Sequence, residues 1–243
     1  MIEVEGLTKL YGDRLAVREL SFTVQPGEVL GLVGPNGAGK TTTLRSVAGI
    51  IRPSAGQIRI AGHDLRAEPI AAKSRLAFIP DEPHLFDYLT VGEHLDFVAR
   101  LYNVTEAGER RHALLSELEL LDRVDSFPPE LSRGMKQKLA SACGLFHSPS
   151  ALMFDEPLTG LDPIGIRRMK ATILRRAQEG AAVILSSHLL HLVEELCTRV
   201  LVLRQGVRVA TGALGDIIAE RPELAGRSLE DVFIALVGDT GSP

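Results

Sequence analysis

Hydrophobic and polar positions along the chain follow three successive patterns. Up to Gly62, short apolar stretches are punctuated by turn residues: "AVRELSFTV", then "EVLGLVG" after Pro26-Gly27, then "GQIRIAG" after Pro53 to Gly56. This predicts an antiparallel sheet near the N-terminus. From about Thr90 to His147 the period becomes helical. Thr90 with Glu93 forms a capping box, and Val91, Leu95, Val98 and Tyr102 follow on one helix face, so an all-helical insert is expected over about 88–148. From Ala151 the runs "ALMF", "AAVILSS" and "RVLVLR" are almost continuously apolar and are separated by helical stretches, as in a parallel sheet with crossover helices. Asp162-Pro163 supplies an N-cap and a first-turn proline for one of those helices. "SLEDVFIALVG" is a last amphipathic helix, opened by Ser228 with Asp231, in a helical tail expected over about 213–238. The class is therefore α/β: one domain over residues 1–243, with a parallel core, an N-terminal antiparallel β subdomain and an inserted α-helical subdomain.

Composition narrows the function. A chain of 243 residues with 45% apolar content can bury a large core. The net charge is −4 and no block of five like charges occurs, so neither a nucleic-acid arm nor a polybasic membrane patch is indicated, and nucleic acid is not expected as a partner. The apolar runs fall far short of the roughly 20 residues of a spanning helix, and Met1 is not followed by a signal-peptide pattern. A cytosolic chain is expected, with any membrane contact made through a partner. Cys143 and Cys197 lie in apolar helical patterns and read as small core side chains, not as a disulfide or metal ligands.

The strongest chemical signal is the run Gly34, Pro35, Asn36, Gly37, Ala38, Gly39, Lys40, Thr41, Thr42, which follows a buried strand and precedes a helical pattern. Its glycines let backbone N–H groups curl around an anion, and the helix N-terminus adds its dipole. Lys40 reaches the β- and γ-phosphates, and the Thr41 hydroxyl ligates Mg²⁺. ATP with Mg²⁺ is the expected ligand. The run "LMFDEP" then places Asp155 beside Glu156 at the end of a buried strand. Two such charges about 4 Å apart repel by roughly 4 kcal/mol near a protein surface, so a compensating cation is needed. Beside a phosphate loop, Mg²⁺ supplies it: Asp155 holds the metal, and Glu156, pointing elsewhere, is free to orient or deprotonate the attacking water. An Asp N-cap beside a solvated Glu would be the reading if no phosphate loop preceded the pair.

Between these motifs lies "ELSRGMKQKLASACGLF", which resembles the signature segment of ATP-binding cassette (ABC) ATPases. The resemblance spans the chain and implies a P-loop NTPase with a RecA-like parallel core. Tyr11 matches the aromatic that stacks on adenine, Asp162 in "LTGLDP" the D-loop, and His188 in "SSHLL" the switch histidine associated with the γ-phosphate. Taken singly, Tyr11 is an edge-strand aromatic and His188 a helix cap; the order and spacing of six motifs overturn both readings. His191 matches no motif. The resemblance further implies a head-to-tail dimer with a second copy, in which Leu131, Ser132, Arg133, Gly134 and Asp162 face the partner's ATP, a closed and self-complementary arrangement. ATP would then act as glue and hydrolysis would release the dimer, a nucleotide-gated two-state switch.

Arg133 and Met135 depart from the signature pattern, and Asp81 in "AFIPDEPHLF" stands at the Q-loop position where the family has glutamine. A carboxylate there adds charge near a triphosphate and cannot donate a hydrogen bond, so altered coupling or slower turnover is expected. The single cassette, "IPDEPHLFDYLTVGEHL" and the closing "SLEDVFIAL" resemble stand-alone subunits of ABC-2-type exporters. Such subunits attach at the cytoplasmic face of the membrane through a separate integral membrane permease, which would dock at about residues 81–102. Leu85 and Phe86 are there either for docking or for the subdomain's own core. Two other functions share these motifs: a soluble mechanical ATPase, against which the acidic charge and the lack of a long insertion speak, and a regulatory cassette with impaired hydrolysis, against which Glu156 and His188 speak.

Overall fold

The computed structural model describes residues 1–219 and 226–238. Residues 220–225 of the expected C-terminal tail and 239–243 of the expected domain lie outside the described residues. Strands β1 (Ile2–Tyr11) and β2 (Arg14–Val24) form a hairpin, and β3 (Val29–Val33) runs through the phosphate loop into helix α1 (Lys40–Val47). There follow β4 (Ala55–Ile60), β5 (His63–Asp64), α2 (Pro69–Lys73) and β6 (Leu76–Ile79). The insert consists of α3 (Val91–Tyr102), α4 (Ala107–Glu117), two short 3-10 turns and α5 (Arg133–Leu145). The chain then alternates: β7 (Ala151–Asp155), α6 (Pro163–Gln178), β8 (Ala182–Ser186), α7 (Leu190–Leu196), β9 (Arg199–Arg204), β10 (Val207–Gly212), α8 (Leu214–Ala219) and α9 (Leu229–Gly238).

The N-terminal sheet has order β2-β1-β4-β5 and is antiparallel. The second has order β10-β9-β3-β8-β7-β6 and is parallel apart from its β10 edge. One strand expected with the N-terminal group moves: "EVLGLVG" forms β3 and lies between β8 and β9 in the parallel sheet. All five of its residues are buried, as in a strand covered on both faces. β1 has no counterpart among the expected strands, because register shifts between Val4 and Leu10 break its alternation.

The expected local signals form. Thr90 Oγ1 accepts from Glu93 N–H over 3.2 Å and Glu93 Oε2 accepts from Thr90 N–H over 2.7 Å. Ser228 Oγ accepts from Asp231 N–H over 3.2 Å at the start of α9. A single apolar cluster joins the insert (Val91, Leu95, Leu115, Leu139) to the parallel sheet (Phe154, Leu185), so α5 belongs to both layers. A second packs the antiparallel sheet on the other face, through Ile2, Val4, Leu30, Met153 and Ile184. The tail helices close a third around Val33, Val202 and Val232. Cys143 and Cys197 are free thiols that burial pushes up to about 12, which leaves them unreactive at neutral pH. Among the described residues no helix is long and apolar enough to cross a membrane.

Candidate active site

The loop from β3 to α1 is shaped by close backbone approach. Gly39 holds φ 101°, and a β-carbon there would stand 2.7 Å from the Ala16 carbonyl oxygen. α1 begins with no side-chain cap and no acidic residue in its first turn, so its leading N–H groups remain for an anionic ligand. Lys40 Nζ donates to the carbonyls of Gly34 (2.6 Å) and Pro35 (3.2 Å). Burial lowers its pKa from the usual lysine value, against the pull of Glu156 and Asp155. Lys40 therefore supplies part of the positive charge that the paired carboxylates require.

A cavity of about 650 Å³ opens over this loop. Of the expected residues, Tyr11, Asn36, Gly37, Ala38, Gly39, Lys40, Thr41, Thr42, Asp81, Asp155 and Glu156 line it. The Lys9 ammonium lies 4.9 Å from the Tyr11 ring centroid, a cation–π contact that steadies a half-exposed ring at the cavity mouth. The Thr41 hydroxyl and the Asp155 carboxylate share this wall, a hard-oxygen donor set of the type Mg²⁺ takes.

The adjacent carboxylates are held differently. Asp155 pairs in register with Ser186 across β7 and β8, and Ser186 Oγ donates to Asp155 Oδ1 over 2.5 Å. Glu156 has left the strand: it holds φ 52°, a left-handed conformation uncommon for a residue with a side chain. Its Oε2 accepts from the Ser187 hydroxyl (3.3 Å), His188 N–H (3.3 Å) and His188 Nδ1–H (2.8 Å). The turn thus keeps one carboxylate on the cavity wall with Thr41 and ties the other to the histidine loop.

Leu131, Ser132, Arg133, Gly134 and Asp162 do not line this cavity. Ser132 caps α5, its Oγ accepting from Met135 N–H over 3.2 Å, and Asp162 caps α6, its Oδ1 accepting from Gly165 N–H over 2.8 Å. The two helix starts abut: a β-carbon on Gly134 would stand 2.8 Å from the Gly160 carbonyl oxygen. Leu131 is buried beneath. Arg133 Nη2 lies 3.5 Å from Asp81 Oδ1, so two of the three departures from the family pattern face each other.

Ser186 and Ser187 escape a reading of the sequence alone. Their signal is a polar pair closing an apolar run, which acquires meaning only when β8 lies beside β7. Arg14 and Gln205 also reach the cavity from the two hairpins and carry no motif.

This arrangement defines a P-loop nucleotide-binding protein. The ABC transporter family model matches residues 17–159. Among the relatives, the ABC-type transporter ATP-binding protein EcsA of Bacillus subtilis (strain 168) is 33% identical over 238 residues, 97% of this chain and 96% of EcsA. The Nod factor export ATP-binding protein I of Paraburkholderia xenovorans (strain LB400) is 38% identical over 220 residues, 90% of this chain and 72% of the relative. The solved structure of an ATP binding subunit of an ABC transporter superposes with TM-score 0.93 at 35% identity, covering 97% of this chain and 99% of that one. The chain belongs to the ABC transporter family as an ATP-binding subunit, an ATP hydrolase coupled to transport.

Proposed function

We propose that residues 1–243 form one cassette of a homodimeric ATPase that drives a separate integral membrane permease of an ABC-2-type exporter from the cytoplasmic face of the membrane. The observation carrying this reading is the division of the motif residues: the phosphate loop and paired carboxylates share one cavity, whereas Ser132, Gly134 and Asp162 sit at helix starts outside it. A surface built for phosphate but away from the chain's own phosphate cavity suits the nucleotide of a second copy packed head to tail.

Within each cavity the phosphates lie on the α1 N-terminus and Lys40, and adenine stacks on Tyr11. Thr41 and Asp155 hold Mg²⁺, which when bound neutralises phosphate charge. Glu156 accepts the proton of the attacking water, and His188, hydrogen-bonded to it, orients that carboxylate. Gly134 and Ser132 of the second copy complete the γ-phosphate shell. Asp81, on the cavity wall, lowers turnover relative to a glutamine there.

The permease docks on an apolar groove of about 520 Å³ lined by Phe78, Leu85, Phe86, Phe97 and Val98. Leu85 packs partly into the core, while Phe86 remains exposed and meets Phe97 edge-on with centroids 5.7 Å apart. Tyr88 and Leu101, 74% and 61% exposed, extend this patch. Such a cluster of exposed aromatic and apolar side chains favours a protein partner. The word "export" in a relative's name supports the exporter type.

The test is capture of tagged Glu156→Gln protein from native membranes in mild detergent with ATP and Mg²⁺. Recovery of a polytopic membrane protein together with a doubled cassette is the expected result. Recovery of soluble partners or nucleic acid alone, from protein that dimerises on ATP, would replace the transporter reading with a mechanical ATPase.

A further inference from the structure

The helical insert passes an acidic pair between the two helices that start at Ser132 and Asp162. Glu119 holds φ 57°, a left-handed conformation, just beyond α4. That turn places its carboxylate between α5 and α6: Oε2 lies 2.9 Å from Lys138 Nζ and Oε1 lies 3.1 Å from Arg168 Nη2. The Lys138 side chain is only 12% exposed, so its ammonium depends on this partner for its charge balance. Glu117 repeats the contact further along α6, accepting from Thr172 Oγ1 over 2.5 Å and pairing with Arg175.

The geometry is matched on the two helices. Lys138 stands six residues beyond the cap Ser132, and Arg168 six residues beyond the cap Asp162. One carboxylate therefore bridges α5 and α6 at equal depth behind their first turns, where Gly134 already abuts Gly160. Between them, the two contacts set both the separation and the tilt of the helix starts.

We propose that Glu119 is a positioning residue for the shared nucleotide: acting through Lys138 and Arg168, it fixes the signature and D-loop ends into one surface that meets the second copy's ATP. This rests on the head-to-tail dimer proposed above. Glu119 lies outside the nucleotide cavity, so its removal acts on dimerisation and spares the chain's own nucleotide binding.

The experiment starts from Glu156→Gln protein with ATP and Mg²⁺. The dimer dissociation constant is read by sedimentation, and nucleotide affinity by a fluorescent ATP analogue at concentrations where the chain is monomeric. Adding Glu119→Gln, which keeps shape and removes charge, is expected to weaken the dimer about tenfold while nucleotide affinity stays within about twofold. Arg168→Gln, at a half-exposed position that carries little risk to folding, is expected to weaken it less, and the double variant to be no weaker than Glu119→Gln alone. Equal dimer affinity with and without Glu119→Gln overturns the positioning role while leaving the dimer standing, as do additive effects of the two substitutions. A parallel loss of nucleotide affinity also overturns it, since the effect would then be a general loss of structure. If the Glu156→Gln parent itself stays monomeric with ATP, the dimer reading fails and the positioning role falls with it.

Discussion

Two helices start beside residues suited to phosphate, and their first turns are built in opposite ways. α1 follows Gly39 with no side-chain cap, its leading N–H groups turned to a cavity that also holds Lys40, Asp155 and Glu156. α5 caps itself with the Ser132 hydroxyl and borders Gly160 instead of that cavity. An uncapped start leaves its donors for a ligand, at a cost to the free chain. A self-capped start is stable without one and presents a surface whose shape depends on its neighbours. The first is thus a binding site by local chain geometry; the second, in the dimer proposed above, would become one only through the arrangement of helices around it.

The sharpest separation of the two regions comes from Glu156→Gln. ATPase turnover is expected to fall by roughly 10²- to 10⁴-fold, the contribution of a positioned base, while nucleotide binding persists; steady-state hydrolysis beside equilibrium binding measures both. Lys40→Ala should weaken nucleotide affinity of the isolated chain by roughly 10- to 100-fold, since a hydrogen bond to a charged group is worth about 1.5–3 kcal/mol. A fluorescent-nucleotide titration that shows no change would remove the α1 cavity as the binding site.

Gly134→Ala probes the other side. Its β-carbon would press on the Gly160 carbonyl, and relief by backbone shift costs about 1–3 kcal/mol. ATP-dependent dimerisation should weaken at sedimentation equilibrium, with monomer nucleotide affinity retained; loss of that affinity would erase the distinction between the regions. Ser132→Ala should lower stability by about 1 kcal/mol, a Tm decrease of roughly 2–4 °C by calorimetry. A cap of no thermal consequence would mean that α5 needs no local stabilisation.

The smallest effect concerns the far end of α5. His147 stacks on Tyr102 with ring centroids 3.8 Å apart, and its Nε2–H donates to the Leu76 carbonyl over 3.3 Å. Burial pushes its pKa below the usual 6.5, partly offset by that hydrogen bond. Below pH 6.5 the unfolded chain therefore binds a proton before the folded one does, and stability falls on acidification through that window. Urea unfolding at pH 7 and pH 5 should show a smaller acid loss in His147→Asn than in the parent.

Much of the architecture can be read along the chain. The helical insert, the α6 start at Asp162-Pro163 and the parallel C-terminal half rest on periodicity and caps, which act over three or four residues. The strand "EVLGLVG" joins the other sheet because a short apolar run carries no mark of its neighbours, and β1 hides behind its bulges.

By itself, the sequence determined the phosphate loop, the Asp155-Glu156 pair and the caps of α3, α6 and α9. Each is a contiguous pattern whose chemistry follows from backbone geometry within one or two turns. Only the tertiary structure decided that Ser186 and Ser187 hold those carboxylates, that His188 reaches Glu156, that Asp81 faces Arg133 and that Glu119 joins α5 to α6. Those contacts join residues from 19 (Glu119 with Lys138) to 52 (Asp81 with Arg133) positions apart in the chain. Strand register and helix packing set them, and both answer to burial of the whole core, not to any local pattern.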